Sequence, residues 1–425
     1  MSIQYKYRLE QDPLWAALPG DQQQYLLRVI PGLRPSVQYQ RQLIIYAADL
    51  HMWGEPGLQA LLEPVMADEQ VLRMKGSQRT GRIMTLLGQQ MEALRTREID
   101  YSNFTPHRVM PKKHIFVDRD DSAATLMGRC PVAGEKTRCC NLLTLDAVRQ
   151  CGYACSYCSI QSFYDEQQIF LYPDLGRRLR ELDATLKSDR IYHIGTGQSS
   201  DSLMFGNQQG MLDDLLDFAR DHPQVILELK SKSDRIEPLL DRKVPRNVLC
   251  TWSLNPQTVI TKEEHLTASL DRRLSAARSA ADHGILVGFH LHPIVRFLGW
   301  QEAYGTLIDR IQELFTPREI VMVSMGTLTY IKPVIRRLRQ MGIKSKVLQI
   351  PLADASGKLS YPPEVKQELF SFAYRRFNES WRDQVFFYLC MEPPELWMPV
   401  LGRSYPDNDA FEADMKQTYM ERIRE

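Results

Sequence analysis

Cys151-Gly-Tyr-Ala-Cys155-Ser-Tyr-Cys158 sets three cysteines in eight residues, at the spacing C-x3-C-x2-C. A loop this short can aim three thiolates at one point. Four cysteines close a [4Fe–4S] cluster coordinatively, and such a cluster usually only moves electrons. Three leave one iron open to a small molecule. With Cys139 or Cys140 as a fourth ligand, the same thiols could instead hold a structural zinc. Zinc knuckles usually come as two separated pairs, so the extra C-x3 step argues against zinc. Unligated thiols are the remaining alternative.

The rest of the composition fits a protein that buries such a site in a reducing compartment. At 425 residues the chain can bury a large core and hold more than one domain. Its 44% hydrophobic and 25% charged residues are ordinary for a globular protein. A formal net charge of +1 neither demands nor excludes a nucleic-acid partner. The N-terminus, Met1 to Glu10, lacks the apolar core of a signal peptide. No apolar run is long enough to span a bilayer, so no membrane association is expected. Eight cysteines in such a chain suggest metal binding or catalysis rather than a disulfide framework. An oxygen-sensitive cluster needs reducing surroundings, and the expected location is the cytoplasm. The sequence leaves the oligomeric state open.

Residues up to about Asp100 read as mostly helical. A capped helix starts at Asp21 and is expected to stop before Pro31-Gly32. Gln38 to Met52 and Gly57 to Met74 continue at helical spacing. The basic run of Arg73, Lys75, Arg79 and Arg82 around Gly76-Ser77 could touch phosphates, although a solvated helix end is the favoured reading. Tyr101 to Pro111 is a polar linker, and His114 to Asp118 a short strand. Cys130, Cys139 and Cys140 then precede the cluster loop. They are candidates for a second metal site, for redox-active thiols, or for plain thiols.

From Leu142 to about Met341 strands and helices alternate. The strands expected are Leu142–Leu145, Ile191–Gly195, Val225–Leu229, Val248–Ser253, Leu286–Leu291 and Glu319–Val323. Helices such as Gly210–Arg220, Leu270–His283 and Gln301–Phe315 lie between them. Six βα units in a row imply a parallel sheet with right-handed crossovers. After about Gly342 come a helix, Pro363–Asn378, a strand-like Val385–Cys390 and a charged C-terminal helix.

Functional groups of a parallel sheet gather where its strands end. The cluster loop follows the first strand. Gly195-Thr-Gly197-Gln-Ser-Ser200-Asp201 follows the second, with glycines that let backbone approach a ligand. Lys230, Ser231 and Lys232 follow the third, Ser253 and Asn255 the fourth, His290 and His292 the fifth, and Ser324 to Thr327 the sixth. Each alone could be an ordinary strand cap. Their common edge is the argument.

The loop resembles that of the radical S-adenosylmethionine (SAM) superfamily, whose fold is an open, partial (β/α)6 barrel. In that family the open iron chelates the methionine part of the cofactor, and the aromatic at Tyr157 lies along the adenine. The run of later segments resembles one branch, the spore photoproduct lyase family of DNA repair enzymes. The signals are Ser200-Asp201, Lys232 followed by Ile236-Glu-Pro-Leu-Leu, Ser253-x-Asn255, Leu270-Asp-Arg-Arg-Leu-Ser-Ala-Ala-Arg, Gly288-Phe-His-Leu-His-Pro-Ile and Gly299-Trp300. The resemblance spans roughly 151–333 and leaves the helical N-terminal part unexplained. Taken with the helical spacing and the polar linker, the expected organisation is an α/β fold with a helical domain at 1–110, the barrel with its cluster loop at 111–341 and a small α/β extension at 342–425.

The resemblance also implies a mechanism. A partner such as flavodoxin or ferredoxin reduces a [4Fe–4S] cluster on Cys151, Cys155 and Cys158. The cluster cleaves S-adenosylmethionine to methionine and a 5′-deoxyadenosyl radical, which takes a hydrogen atom from damaged DNA or another nucleic-acid substrate. Tyr157, Gly195, Gly197, Ser200, Asp201, Lys232, Ser253 and Asn255 would line the cofactor site. Two departures stand out. The lyase's hydrogen-donating cysteine aligns with Gln198, whose amide N–H is too strong a bond for that role. Ser159 stands where the lyase has tyrosine. Cys390, Cys140 or Cys139 would then supply the weak S–H bond. The alternatives are a radical SAM enzyme acting on a peptide or metabolite, and a non-enzymatic iron–sulfur electron carrier or sensor.

Overall fold

Long runs of buried β-branched and aliphatic residues, each followed by an amphipathic helix, build the centre of the molecule as parallel strands covered by helices. The computed structural model describes residues 9–107, 116–118, 126–130, 136–160, 168–172, 174–197, 200–355 and 357–425. Gln198 and His114 lie outside them.

The main sheet has eight strands: β1 (Met127–Arg129), β2 (Leu143–Leu145), β3 (Tyr192–Thr196), β4 (Val225–Ser231), β5 (Val248–Ser253), β6 (Leu286–Ile294), β7 (Ile320–Thr327) and β8 (Phe386–Leu389). Their order in space is their order in sequence. β2 to β8 are all parallel, and β1 pairs antiparallel with β2 at the edge. The sheet curls into an open half-barrel, the α/β architecture expected. Every residue of β5 and β7 is buried, as a sheet covered on both faces requires.

The strand count is larger than expected. The strand-like Val385–Cys390 does not stay apart in the C-terminal extension: Phe386–Leu389 pairs with Met322–Met325 of β7 and prolongs the sheet. β1, which had no sequence signal, adds the other edge.

The N-terminal helices are Gly20–Leu33, Val37–Trp53, Leu58–Ala67, Glu69–Arg73 and Gly76–Thr96. The first does not stop at Pro31. Proline removes one N–H from the helix. The buried stripe of Tyr25, Leu26, Ile30 and Leu33 outweighs that loss, and left-handed Arg34 ends the helix. The basic run around Gly76 forms the opening of the long helix, with Lys75 exposed. The segment expected as a polar linker is anchored: Tyr101 and Phe104 are buried, and the Tyr101 hydroxyl donates to Glu263 (3.0 Å). Among the described residues no helix is long and apolar enough to cross a membrane.

Asp49, fully buried, clamps the helical region to the half-barrel. It accepts from Arg339 of the helix Lys332–Gln340 (2.6 and 2.9 Å) and from Arg95 (3.0 Å). Asp49→Ala leaves both guanidiniums short of their counter-charge. It should lower the unfolding free energy by about 3 kcal/mol in urea titrations, whereas removal of the exposed pair Arg73–Glu69 should change it by less than about 0.5 kcal/mol.

Candidate functional site

The cluster loop is built by short-range constraints at both ends. Gln150 takes a left-handed conformation (φ 70°) directly before Cys151. The two-residue strand Ala154–Cys155 then pairs antiparallel with Glu264–His265, which sets Cys155 opposite Glu264. The Ser156 N–H donates to the Glu263 carbonyl (2.8 Å), and the Cys158 N–H to the Cys155 carbonyl (3.1 Å). The Tyr153 N–H points at the Cys151 sulfur (3.4 Å).

The three loop cysteines line one cavity of about 270 Å³. Gly197, Ser200, Asp201, Lys232, Ser253, Tyr157 and Ser159 line it too, as do Cys130, Cys139, Cys140 and Cys390. Seven of the eight cysteines therefore share one space. The remaining one, Cys250, is buried in β5.

Several of the expected residues have structural work of their own. Asp201 accepts from the backbone N–H of Leu203 (3.1 Å), Met204 (2.9 Å) and Lys232 (2.6 Å) and from the Ser231 hydroxyl (2.8 Å). Burial nevertheless pushes its carboxyl above the ordinary value. Ser200 donates to the Gln150 carbonyl (2.8 Å) and so ties the end of β3 to the start of the cluster loop. Gly197 needs to be glycine. Its φ is +78°, and a Cβ would stand 2.7 Å from the Lys230 carbonyl and the Ser202 hydroxyl. Gly195 lies within β3, behind the cavity wall. Asn255 is also behind the wall, with both ends of its amide occupied by Glu264 (2.8 Å) and Tyr304 (2.7 Å).

The residue that organises the site is Glu264, which nothing in the local sequence singles out. It is buried and accepts from Arg273 (2.5 Å), Asn255 and the Tyr157 hydroxyl. The Lys232 ammonium stands 3.8 Å from it, 2.7 Å from the Tyr157 oxygen, 3.7 Å from the Cys155 sulfur and 4.6 Å from the centre of the Tyr157 ring. Burial alone would push the Glu264 carboxyl up, but Arg273 and Lys232 more than offset it and hold it at about 2. Its neighbour Glu263 receives Tyr101, Ser345 (2.7 Å) and the Lys346 N–H (2.9 Å). Glu264 thus meets the cluster loop through its carboxylate and Glu263 through its backbone carbonyl, which accepts from Ser156.

Deeper in the half-barrel, Glu228 of β4 accepts from His193 (2.8 Å), His290 (2.8 Å) and Thr251 (2.8 Å). These side chains come from β3, β6 and β5. They line the inner face as a polar chain ending at the cavity.

The chain therefore combines an open half-barrel of parallel strands with a C-x3-C-x2-C loop after its first parallel strand. Residues 144–347, just under half of the chain, match the family model for spore photoproduct lyase. The spore photoproduct lyase of Geobacillus sp. (strain Y412MC61) is 31% identical over 128 residues, which cover 28% of this chain and 36% of that protein. That of Bacillus subtilis (strain 168) is 33% identical over 85 residues, 20% of this chain and 25% of the lyase. A solved spore photoproduct lyase complexed with dinucleoside spore photoproduct superposes with a TM-score of 0.52 at 20% identity, covering 58% of this chain and 76% of that one. A mutant of that lyase with bound AdoMet and the same dinucleoside gives 0.51 at 21% identity, covering 57% and 75%. The central part of the chain is thus similar in sequence to the spore photoproduct lyase family and similar in fold to its solved members. The aligned segments span only about a third or less of the length of the curated lyases.

Glu264→Gln should destabilise the fold by about 3 kcal/mol in chemical denaturation, because it leaves Arg273 buried without a full counter-charge. Acid should act through the histidines. Burial and the nearby Lys230 hold His290 at about 4 and His292 at about 3. The unfolded chain therefore takes up protons that the folded one refuses, and stability present above about pH 6.5 is lost as pH falls toward 4. His292→Gln should reduce the difference between urea midpoints at pH 7 and pH 5.

Proposed function

We propose that the chain is a radical SAM enzyme related to spore photoproduct lyase, with Cys151, Cys155 and Cys158 as the three protein ligands of a [4Fe–4S] cluster. The observation that carries this reading is the placement of the three thiols on one cavity wall with the ends of β3, β4 and β5. The donor set fits: three sulfurs, a neighbouring ammonium at Lys232, and no fourth ligand contributed by the loop itself. When bound, such a cluster reduces S-adenosylmethionine and supplies a 5′-deoxyadenosyl radical.

The chain's own residues bind, orient and exclude water. Lys232 neutralises part of the negative charge of thiolates beside it, and Glu264 with Arg273 fixes where Lys232 and Tyr157 stand. Gly197 leaves room for a ligand at the end of β3, and Ser253 offers a hydroxyl. Ser200 and Asp201 hold the β3 and β4 loops in register with the cluster loop. The cytoplasm, and a small electron-transfer protein of the flavodoxin or ferredoxin kind, are the setting this chemistry requires.

The substrate proposed is a nucleic acid or a nucleotide-like molecule. The support is the likeness of the half-barrel to lyases solved with a dinucleoside photoproduct. Gln198 in place of the lyase's donor cysteine means that hydrogen returns to the substrate by a different route.

Anaerobic reconstitution, reduction with dithionite and addition of S-adenosylmethionine should yield 5′-deoxyadenosine, and Cys155→Ala should reduce it to background. Ultraviolet-irradiated DNA should raise the yield above that with undamaged DNA or peptides. An intact reduced cluster that forms no 5′-deoxyadenosine would favour an electron carrier or sensor.

A further inference from the structure

Four cysteines outside the cluster loop converge on the same cavity from three separate segments. Cys130 follows β1, and its N–H donates to the Leu142 carbonyl (3.1 Å). Cys139 and Cys140 follow Arg138, which pairs in an isolated antiparallel bridge with Glu392 (3.0 Å). That bridge lays the pair of vicinal cysteines alongside Cys390 at the end of β8, whose own N–H donates to Met325 (2.7 Å). The C-terminal helix Asn408–Arg424 fixes the arrangement from outside. Asn408 accepts from the Cys139 N–H (3.1 Å), and Asn141 donates to Glu412 (2.7 Å).

We propose that Cys130, Cys139, Cys140 and Cys390 hold a second iron–sulfur cluster, ligated by four thiolates and distinct from the one on Cys151, Cys155 and Cys158. All four line the cavity. Cys139 and Cys140 are adjacent in sequence, and the bridge between Arg138 and Glu392 brings them toward Cys390. Lys358 and Lys230 line the same cavity. Two cations among four thiols are what a site of accumulated thiolate charge requires. The carboxylate nearest to them does not compete as a ligand, since Glu392 is engaged by Lys366 (2.7 Å) and Thr327 (3.2 Å).

A cluster and a zinc ion differ in what they bring to the site, and metal and sulfide analysis separates them. A tetrahedral zinc would need its sulfurs about 3.8 Å apart, at Zn–S bonds of about 2.3 Å. A cluster brings its own irons and sulfides and spans more widely set thiolates.

Four protein ligands close a cluster coordinatively, so this one would carry electrons rather than bind substrate. Its place beside the loop cysteines suits it to pass an electron toward them. Held by iron, Cys140 and Cys390 have no S–H to give, which removes them from the hydrogen-donor role expected from the sequence.

The test is metal and sulfide analysis of the full chain after anaerobic reconstitution, with low-temperature electron paramagnetic resonance of the reduced protein. The wild type should hold more than about four irons, up to about eight, with equal acid-labile sulfide. The triple variant Cys151→Ala/Cys155→Ala/Cys158→Ala should lose about four irons and keep the remainder with a cluster signal. Adding Cys130→Ala and Cys390→Ala should remove that remainder. A triple variant with no iron, or with zinc in place of iron, overturns the proposal. The triple variant decides the matter alone if the five-fold variant does not fold. Failure of the open-cluster reading looks different: the wild type and the triple variant would hold the same iron.

Discussion

A buried carboxylate, Glu264, carries the floor of the cavity. It joins three elements that have no local reason to meet: the cluster loop through Cys155 and Tyr157, the end of β4 through Lys232, and the helix Leu270–Asp282 through Arg273. Isolated in a dry interior, a carboxylate would be protonated. Here two cations and two hydrogen-bond donors hold it ionised. Loss of Glu264 strands the buried Arg273, and loss of Arg273 removes the strongest counter-charge of Glu264. That is a poor device for adding stability and a good one for holding Lys232 in one place beside the Cys155 sulfur.

The sheet supplies the second constraint. Because the strands run in sequence order and all but the edge pair are parallel, every βα loop opens on the same side. The cysteine loop after β2, the Gly197 turn after β3 and the lysines at the end of β4 are neighbours for that reason alone. The N-terminal helices do not reach the cavity through their own residues. Tyr101, in the segment that follows them, donates to Glu263, one residue before Glu264.

The half-barrel was legible because parallel strands buried on both faces are continuous apolar runs, and their polar ends stand out. β4, β5 and β6 needed nothing else, and the cysteine loop announced itself by spacing. Glu263 and Glu264 were not legible. They sit at the end of a short helix and become important only through pairing with a loop a hundred residues away. The place of β8 beside β7 was hidden for the same reason: its pattern shows a strand but not its neighbour. Pro31 misled because a local rule about helix ends was overridden by burial. Asn255 and Gly195 are not among the cavity-lining residues: Asn255 is taken up by Glu264 and Tyr304, and Gly195 lies within β3. Cys390 was visible as a cysteine at a strand end, yet its meeting with Cys130, Cys139 and Cys140 depends on the bridge between Arg138 and Glu392.

The central claim is that three cysteines hold a cluster with one iron open to S-adenosylmethionine. The most direct test is the electron paramagnetic resonance spectrum of the reduced protein before and after addition of S-adenosylmethionine. The account predicts that the cofactor changes the spectrum of one cluster, and that the change disappears in Cys151→Ala. A reduced, intact cluster whose spectrum is indifferent to the cofactor would contradict it.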